Sequence, residues 1–302
     1  FLGYGYYAEI PAVIFNVQRT GPSTGMPTRT QQADILTCAY ASHGDTRHVL
    51  LFPADPAECF TMAIDAFDLA ERLQTPVMVL SDLDIGMNDW MVPEFDFDEK
   101  RIPDRGKVLT AEDLDKMDKF YRYLDVDGDG ITYRTLPGTH PKGSFFTRGS
   151  GHTKYGSYTE DADEYQDVMD RLLLKWETAR TLVPAAEIEY SKFNRAAILS
   201  VGSSHAACEE ALDRLSKQKV SLNYCRVRAF PFSDSIKEFI DKHDVVYVVE
   251  QNRDAQLRTL LILDSQVDPA KLVPVLHYNG IPLNPGFVVD RVLEEIAKGR
   301  AA

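Results

Sequence analysis

The sequence predicts an α/β protein, with two parallel-sheet α/β domains joined by a long, partly structured connection. Three observations lead there. Short apolar runs alternate with helical periodicity over residues 12–81, and the same alternation resumes near Asn194. Between them, from about residue 88 to 186, glycine, proline, aspartate and tyrosine crowd together around two helical stretches. A strand, a helix and a second strand at this spacing imply a right-handed crossover and therefore parallel pairing. The 302 residues suffice for two domains of ordinary size. Boundaries are expected at 1–90, 91–186 and 187–302.

The run Ala12-Val13-Ile14-Phe15-Asn16-Val17 reads as a buried parallel strand. A second strand falls at 49–52 (VLLF). A helix follows over 56–74, with Pro56 suited to its first turn and Phe60, Ile64, Phe67 and Leu73 at helical spacing. PVMVLS at 76–81 is the third strand. In the connection, helices are expected at 111–123 and 161–182. Beyond it come a strand at 196–201, a turn at Gly202-Ser203-Ser204 with a capping hydroxyl, and a helix over 205–218. A strand at 221–230 and a helix over 234–242 behind Ser233 follow. The apolar strand 245–249, a helix over 254–263, a strand at 273–277 and a helix opened by Asn284-Pro285 complete the pattern.

Composition removes several classes of function. Apolar residues make up 44% and charged residues 26%, the balance of a folded chain rather than a disordered one. The net charge of −13 argues against nucleic acid as a partner, because that surface needs a basic stripe. No apolar run approaches the roughly 20 residues of a membrane span and no charged-then-apolar leader opens the chain, so no membrane partner is expected. Cys38, Cys59, Cys208 and Cys225 lie far apart without a Cys-x-x-Cys pair. That excludes a zinc ribbon or a local iron–sulfur run and suggests buried free thiols in a reducing cytoplasm. The opening Phe-Leu-Gly-Tyr-Gly-Tyr-Tyr, without methionine, suggests a piece of a longer polypeptide.

The densest chemistry follows the first strand. Residues 18–28, Gln-Arg-Thr-Gly-Pro-Ser-Thr-Gly-Met-Pro-Thr, hold one arginine, four hydroxyls, two glycines and two prolines. Ligands of open α/β sheets bind at the carboxyl ends of strands, and an arginine there can clamp a carboxylate bidentately. The segment is not a P-loop, since three residues separate Gly21 from Gly25 and no Lys-Ser/Thr follows. The same pattern also suits a rigid turn with a solvated arginine.

Other clusters are weaker. Asp125-Val126-Asp127-Gly128-Asp129-Gly130 copies the first half of an EF-hand loop. The bidentate glutamate is replaced by Leu136, and Pro137-Gly138 prevents the exiting helix. Loose binding of a divalent ion by these aspartates remains open, and no metal ligand set is assigned. Arg148-Gly149-Ser150-Gly151-His152 lacks companions at ligand spacing, so Arg148 and His152 form at most a secondary site, beside a hydrogen-bonded loop histidine as the alternative. Hydrolase motifs are absent. Glu250-Gln251-Asn252 closes the apolar strand, where Asn252 suits a cap and Glu250 either solvent or a ligand.

The string Val-Gln-Arg-Thr-Gly-Pro-Ser-Thr-Gly-Met-Pro-Thr followed by Gln-Gln-Ala-Asp closely resembles the α subunit of 2-oxoacid:ferredoxin oxidoreductases, and within them the 2-oxoglutarate (KorA-type) members. The stretches at 129–138, 146–152 and 248–252 are similar to that family as well. The resemblance covers essentially the whole chain. It implies that 1–90 is the later part of a pyrimidine-binding (PYR-like) thiamine-diphosphate domain and 187–302 a transketolase-C-like domain. It implies an oxidoreductase that decarboxylates 2-oxoglutarate, passes electrons to ferredoxin and delivers the acyl group to coenzyme A.

By the same resemblance Arg19 takes the substrate carboxylate, and Thr20, Gly21, Ser23 and Thr24 line the pocket. Thiamine diphosphate with Mg2+ would be held mostly by a β subunit, which would also carry a 4Fe-4S cluster. The partners implied are that β subunit, ferredoxin through the complex, and a small-molecule 2-oxoacid. The family's Tyr-Pro-Ile-Thr-Pro loop and its thiamine-activating glutamate do not occur here and are expected upstream, so no catalytic residue is assigned within this chain. Two alternatives stand beside this reading: a non-catalytic assembly subunit, and the same chemistry on pyruvate or a branched-chain 2-oxoacid.

Overall fold

The computed structural model describes residues 1–191 and 194–299. Its first part runs α1 (Leu2–Tyr7), β1 (Ala12–Gln18), α2 (Ile35–Ala39), β2 (Val49–Leu51), α3 (Pro56–Leu73), β3 (Pro76–Asp82) and α4 (Leu83–Met87). The connection carries α5 (Ala111–Lys116) and α6 (Ala162–Arg180). Then come β4 (Glu187–Glu189), β5 (Ala196–Val201), α7 (Ser204–Lys217), β6 (Asn223–Val227) and β7 (Ala229–Phe230). The chain finishes with α8 (Asp234–Lys242), β8 (Val245–Glu250), α9 (Gln256–Ser265), β9 (Leu272–Leu276) and α10 (Pro285–Ala297).

Two sheets form. In the first the order is β1-β3-β2-β7, with β1–β3 and β3–β2 parallel. In the second it is β4-β6-β5-β8-β9, parallel except for β4 against β6. The apolar runs of β2, β3, β5 and β8 are buried because a parallel sheet is covered on both faces, whereas β1, expected to be buried, is an edge strand with Phe15 and Val17 exposed. One core runs between the sheets, from Leu50, Val77 and Val79 to Leu199, Val227 and Val246. Trp176 of α6 and Phe230 close it, their rings 5.0 Å apart.

Several elements differ from the sequence reading, each for a tertiary reason. The strand expected at 221–230 is broken, and β7 leaves its own sheet to pair antiparallel with β2. Burial of Phe230 against Trp176 and Phe232 drives that switch. The helix expected at 111–123 stops at Lys116, because the Lys142 ammonium takes the carbonyls of Leu114, Asp115 and Met117, and Phe120 and Tyr123 turn inward instead. On α3 the buried stripe is Met62, Ala66, Leu69, Ala70 and Leu73. Phe67 stays exposed, and Phe60 stacks 5.0 Å from Phe95. The short helices α1, α2 and α4 and the strand β4 had no periodic signal. Cys38, Cys208 and Cys225 are buried free thiols, whereas Cys59 is half-buried.

Ion pairs join the sheets. Glu58, in the first turn of α3, accepts both ends of the Arg226 guanidinium at 2.5 and 2.9 Å and also Arg228 at 2.9 Å. Burial raises the Glu58 pKa, but the two guanidiniums outweigh it and hold the carboxyl below its usual range.

Candidate functional site

The loop that leaves β1 begins and ends on one side chain. Gln18 is buried, donates to Ser81 O at 3.4 Å and accepts from the Asp34 N–H at 3.0 Å. The neck is tied at Thr20, whose N–H donates to Arg29 O at 2.8 Å. Its hydroxyl hydrogen is shared between Arg29 O at 3.2 Å and Thr30 O at 3.0 Å. The Gly21 N–H donates to Gln31 Oε1 at 3.0 Å. Gly25 sits at φ +48°, packed on Thr20 O where a Cβ would collide, so the tip needs glycine.

The loop also rests on the second half of the chain. Thr30 N–H donates to Gly280 O at 3.2 Å. Gly280, at φ +81°, lies so close that a Cβ would stand 2.5 Å from Met26 Cε.

The expected site residues therefore divide. Thr20 and Gly21 have their donors committed to the neck, which makes them scaffold. Arg19, Ser23 and Thr24 are exposed, and among the described residues their side chains make no hydrogen bond or ion pair. Arg29 is exposed on the returning limb as well and was not singled out from the sequence; its signal was a second guanidinium ten residues from Arg19 on a loop short enough to bring both ends together. Two unpartnered guanidiniums and two hydroxyls at the carboxyl edge of a parallel sheet can bind a carboxylate.

Glu250 faces neither solvent nor a ligand. It is fully buried and caps α9, accepting from Leu257 N–H at 2.8 Å and Arg258 N–H at 3.2 Å. Burial raises its pKa, against the pull of those bonds and of Asn252. Asn252 caps through Oδ1, which accepts from Gln256 N–H at 3.1 Å. Its Nδ2 also donates to Gln32 O at 2.9 Å, on the returning limb of the Arg19 loop.

Arg148 and His152 lie elsewhere. His152 is fully buried, with its ring 4.9 Å from Tyr7 and 4.0 Å from Tyr123, and Nδ1 3.1 Å from Ser150 O. Burial lowers its pKa, so it is a neutral core histidine. Arg148 Nε donates to Gly156 O at 2.9 Å. Tyr7 precedes β1 and Arg19 follows it, and seven extended residues span about 20 Å. The two groups are thus at opposite edges of the sheet.

At that amino edge Glu9 is buried among cations. Its carboxylate meets Arg171 at 2.5 Å and Lys175 at 2.9 Å, and Arg122 donates to its carbonyl at 3.0 Å. Burial would raise the Glu9 pKa, but Arg171 and Lys175 outweigh that and hold it far below the usual carboxylate range. Burial pushes Lys175 down to about 8, against the pull of Glu9. In the aspartate loop Lys107 Nζ stands 2.6 Å from Asp127, 2.8 Å from Asp129 and 2.9 Å from Ile131 O. An ammonium takes the place a cation would have. Asp125 accepts from the N–H groups of Asp127, Gly128 and Gly130.

Comparison with known proteins bears on this arrangement. Residues 1–120 match the family described as pyruvate flavodoxin/ferredoxin oxidoreductase, thiamine diP-bdg. The α subunit of 2-oxoacid:ferredoxin oxidoreductase 2 from Aeropyrum pernix is 33% identical over 296 residues, 95% of this chain and 44% of that protein. The 2-oxoglutarate synthase subunit KorA of Archaeoglobus fulgidus is 32% identical over 83% of this chain and 63% of its own length. A solved structure of 2-oxoglutarate:ferredoxin oxidoreductase from Magnetococcus marinus, with 2-oxoglutarate, coenzyme A and succinyl-CoA bound, superposes with a TM-score of 0.88 at 26% identity, over 98% of this chain and 50% of that one.

The chain is a homologue of 2-oxoacid:ferredoxin oxidoreductase α subunits. Its mixed parallel-sheet architecture is the one that family uses. It spans about half the length of the relatives it matches. Among the described residues no helix is long and apolar enough to cross a membrane.

Proposed function

We propose that this chain is part of the α subunit of an oxidoreductase that converts 2-oxoglutarate to succinyl-CoA and passes the electrons to ferredoxin, and that Arg19 receives the 2-oxoacid carboxylate. The observation carrying the reading is an exposed, unpartnered guanidinium at the carboxyl edge of the first sheet, in a chain of this family. The KorA relatives and the ligands of the Magnetococcus structure support 2-oxoglutarate over pyruvate or a branched-chain acid. The hydroxyls of Ser23 and Thr24 are free to meet further carboxylate oxygens. Residues 1–90 would then be the later part of a PYR-like domain, and 187–302 a transketolase-C-like domain.

The family description names thiamine diphosphate. This chain fits only part of such a site. Among the described residues no three His, Cys, Asp or Glu side chains are placed to hold a metal ion, and Asp127 and Asp129 already pair with Lys107. We therefore assign the diphosphate, its Mg2+ and a 4Fe-4S cluster to a β subunit, with coenzyme A as co-substrate and the cytoplasm as the compartment. This chain's own contribution is to bind the carboxylate and fix its orientation, the kind of positioning that converts binding into rate.

The test is co-expression of the full-length subunit with its β partner. The reading expects stable association and 2-oxoglutarate- and coenzyme-A-dependent reduction of a viologen dye, with kcat/KM at least about tenfold above that for pyruvate. Equal use of pyruvate would overturn the substrate assignment. A chain that ignores every β subunit would overturn the subunit assignment.

A further inference from the structure

Beneath the Arg19 loop lies a buried polar junction that carboxylate binding does not itself use. Gln32 on the returning limb, Asp82 at the end of β3, Ser203 and Ser204 after β5, and Gln251 after β8 are all buried. They meet at the carboxyl ends of strands from both sheets. Asp82 Oδ2 accepts from Ser203 Oγ at 2.6 Å and from Gln32 Nε2 at 3.2 Å. Its Oδ1 accepts from Asp84 N–H at 2.9 Å and Ile85 N–H at 3.4 Å. Among the described residues no cation pairs with this carboxylate.

Gln32 is held on every polar atom. Its N–H donates to Gln251 O at 2.8 Å, and its carbonyl accepts from Asn252 Nδ2 at 2.9 Å. Its side chain donates to Val201 O at 3.1 Å and accepts from Ser204 Oγ at 3.3 Å. Gln251 Nε2 adds a bond to Ser203 Oγ at 3.0 Å. Apart from Gln251 Oε1, which is buried without a partner, the side chains of this junction are hydrogen-bonded. Such a network specifies one arrangement where apolar packing would tolerate several. The register fixed at Gln32 passes to Gln31, which takes the Gly21 N–H at 3.0 Å, and so to the limb carrying Arg19.

We propose that Gln32, Asp82 and Ser203 are positioning residues for Arg19, locking its loop to both sheets so that the guanidinium meets the carboxylate in one orientation. The proposal rests on the reading that Arg19 binds the 2-oxoacid. The experiment uses the full-length subunit reconstituted with its β partner and compares Ser203→Ala, Asp82→Asn, Ser203→Thr and Arg19→Ala. Steady-state kinetics with 2-oxoglutarate are measured beside hydrogen–deuterium exchange of the 19–31 peptide.

Ser203→Ala and Asp82→Asn are expected to raise KM about tenfold with kcat within about twofold of wild type, and to speed exchange in 19–31. Ser203→Thr, which keeps the hydroxyl, should return KM toward wild type. If Arg19→Ala raises KM while Ser203→Ala leaves both KM and loop exchange unchanged, the positioning role is refuted, even if melting falls. If loop exchange speeds up but neither Ser203→Ala nor Arg19→Ala moves KM, the carboxylate reading fails and the lock on the loop stands.

Discussion

Arg19→Lys separates geometry from charge. The ammonium keeps the positive charge but loses the planar fork that meets a carboxylate through two parallel bonds. Losing one charge-assisted bond costs about 1.5–3 kcal/mol, which is roughly ten- to a hundredfold in kcat/KM. Arg19→Ala removes the charge as well and should cost more. Folding stability should barely change in either variant, because Arg19 is exposed and among the described residues pairs with nothing; such surface substitutions stay within about 0.5 kcal/mol. The assay is 2-oxoglutarate-dependent viologen reduction by the reconstituted complex, beside melting curves. If Arg19→Ala unfolds the protein, or leaves kcat/KM within about twofold of wild type, the arginine is a turn residue and the reasoning fails.

The buried charges make sharper claims on stability. Glu9→Gln strands Arg171 and Lys175 without their carboxylate and should cost roughly 3–5 kcal/mol in urea unfolding, so a loss under about 1 kcal/mol would contradict the ion cluster. Because the Lys107 ammonium already sits between Asp127 and Asp129, where a cation would bind, micromolar calcium should leave the melting temperature unchanged. A calcium shift that disappears in Asp127→Asn would overturn that. Burial lowers the pKa of His48, His152, His205, His243 and His277. Between pH 6.5 and 5 the unfolded chain therefore binds protons that the folded one refuses, and stability should fall as pH drops through that window. A urea midpoint at pH 5.5 equal to that at 7.5 would count against this.

What the sequence determined by itself is what depends on near neighbours. The apolar runs at 76–81 and 245–249 became the buried strands β3 and β8 because their burial needs only a covered sheet, and α3 starts behind Asp55 and Pro56 by local capping. The run at 12–17 became a strand whose edge position and exposed Phe15 and Val17 the pattern did not show. The loop that carries Arg19 was legible as a loop too, since its residues are contiguous and its place at a strand's carboxyl end follows from the strand. Tertiary structure decided whatever depends on partners far along the chain. Thr20 and Arg19 look equivalent as residues, yet only the fold commits one to the neck and leaves the other free. Glu9 finds Arg171 across 162 residues, and Gln32 finds Val201 across 169. Lys107 enters the aspartate loop from a segment with no periodicity. Phe230 takes β7 into the other sheet because the core between the sheets, rather than its own strand, is where its ring loses water. Hydrophobic period and capping are properties of a window, whereas charge compensation and buried polar satisfaction belong to the assembled chain.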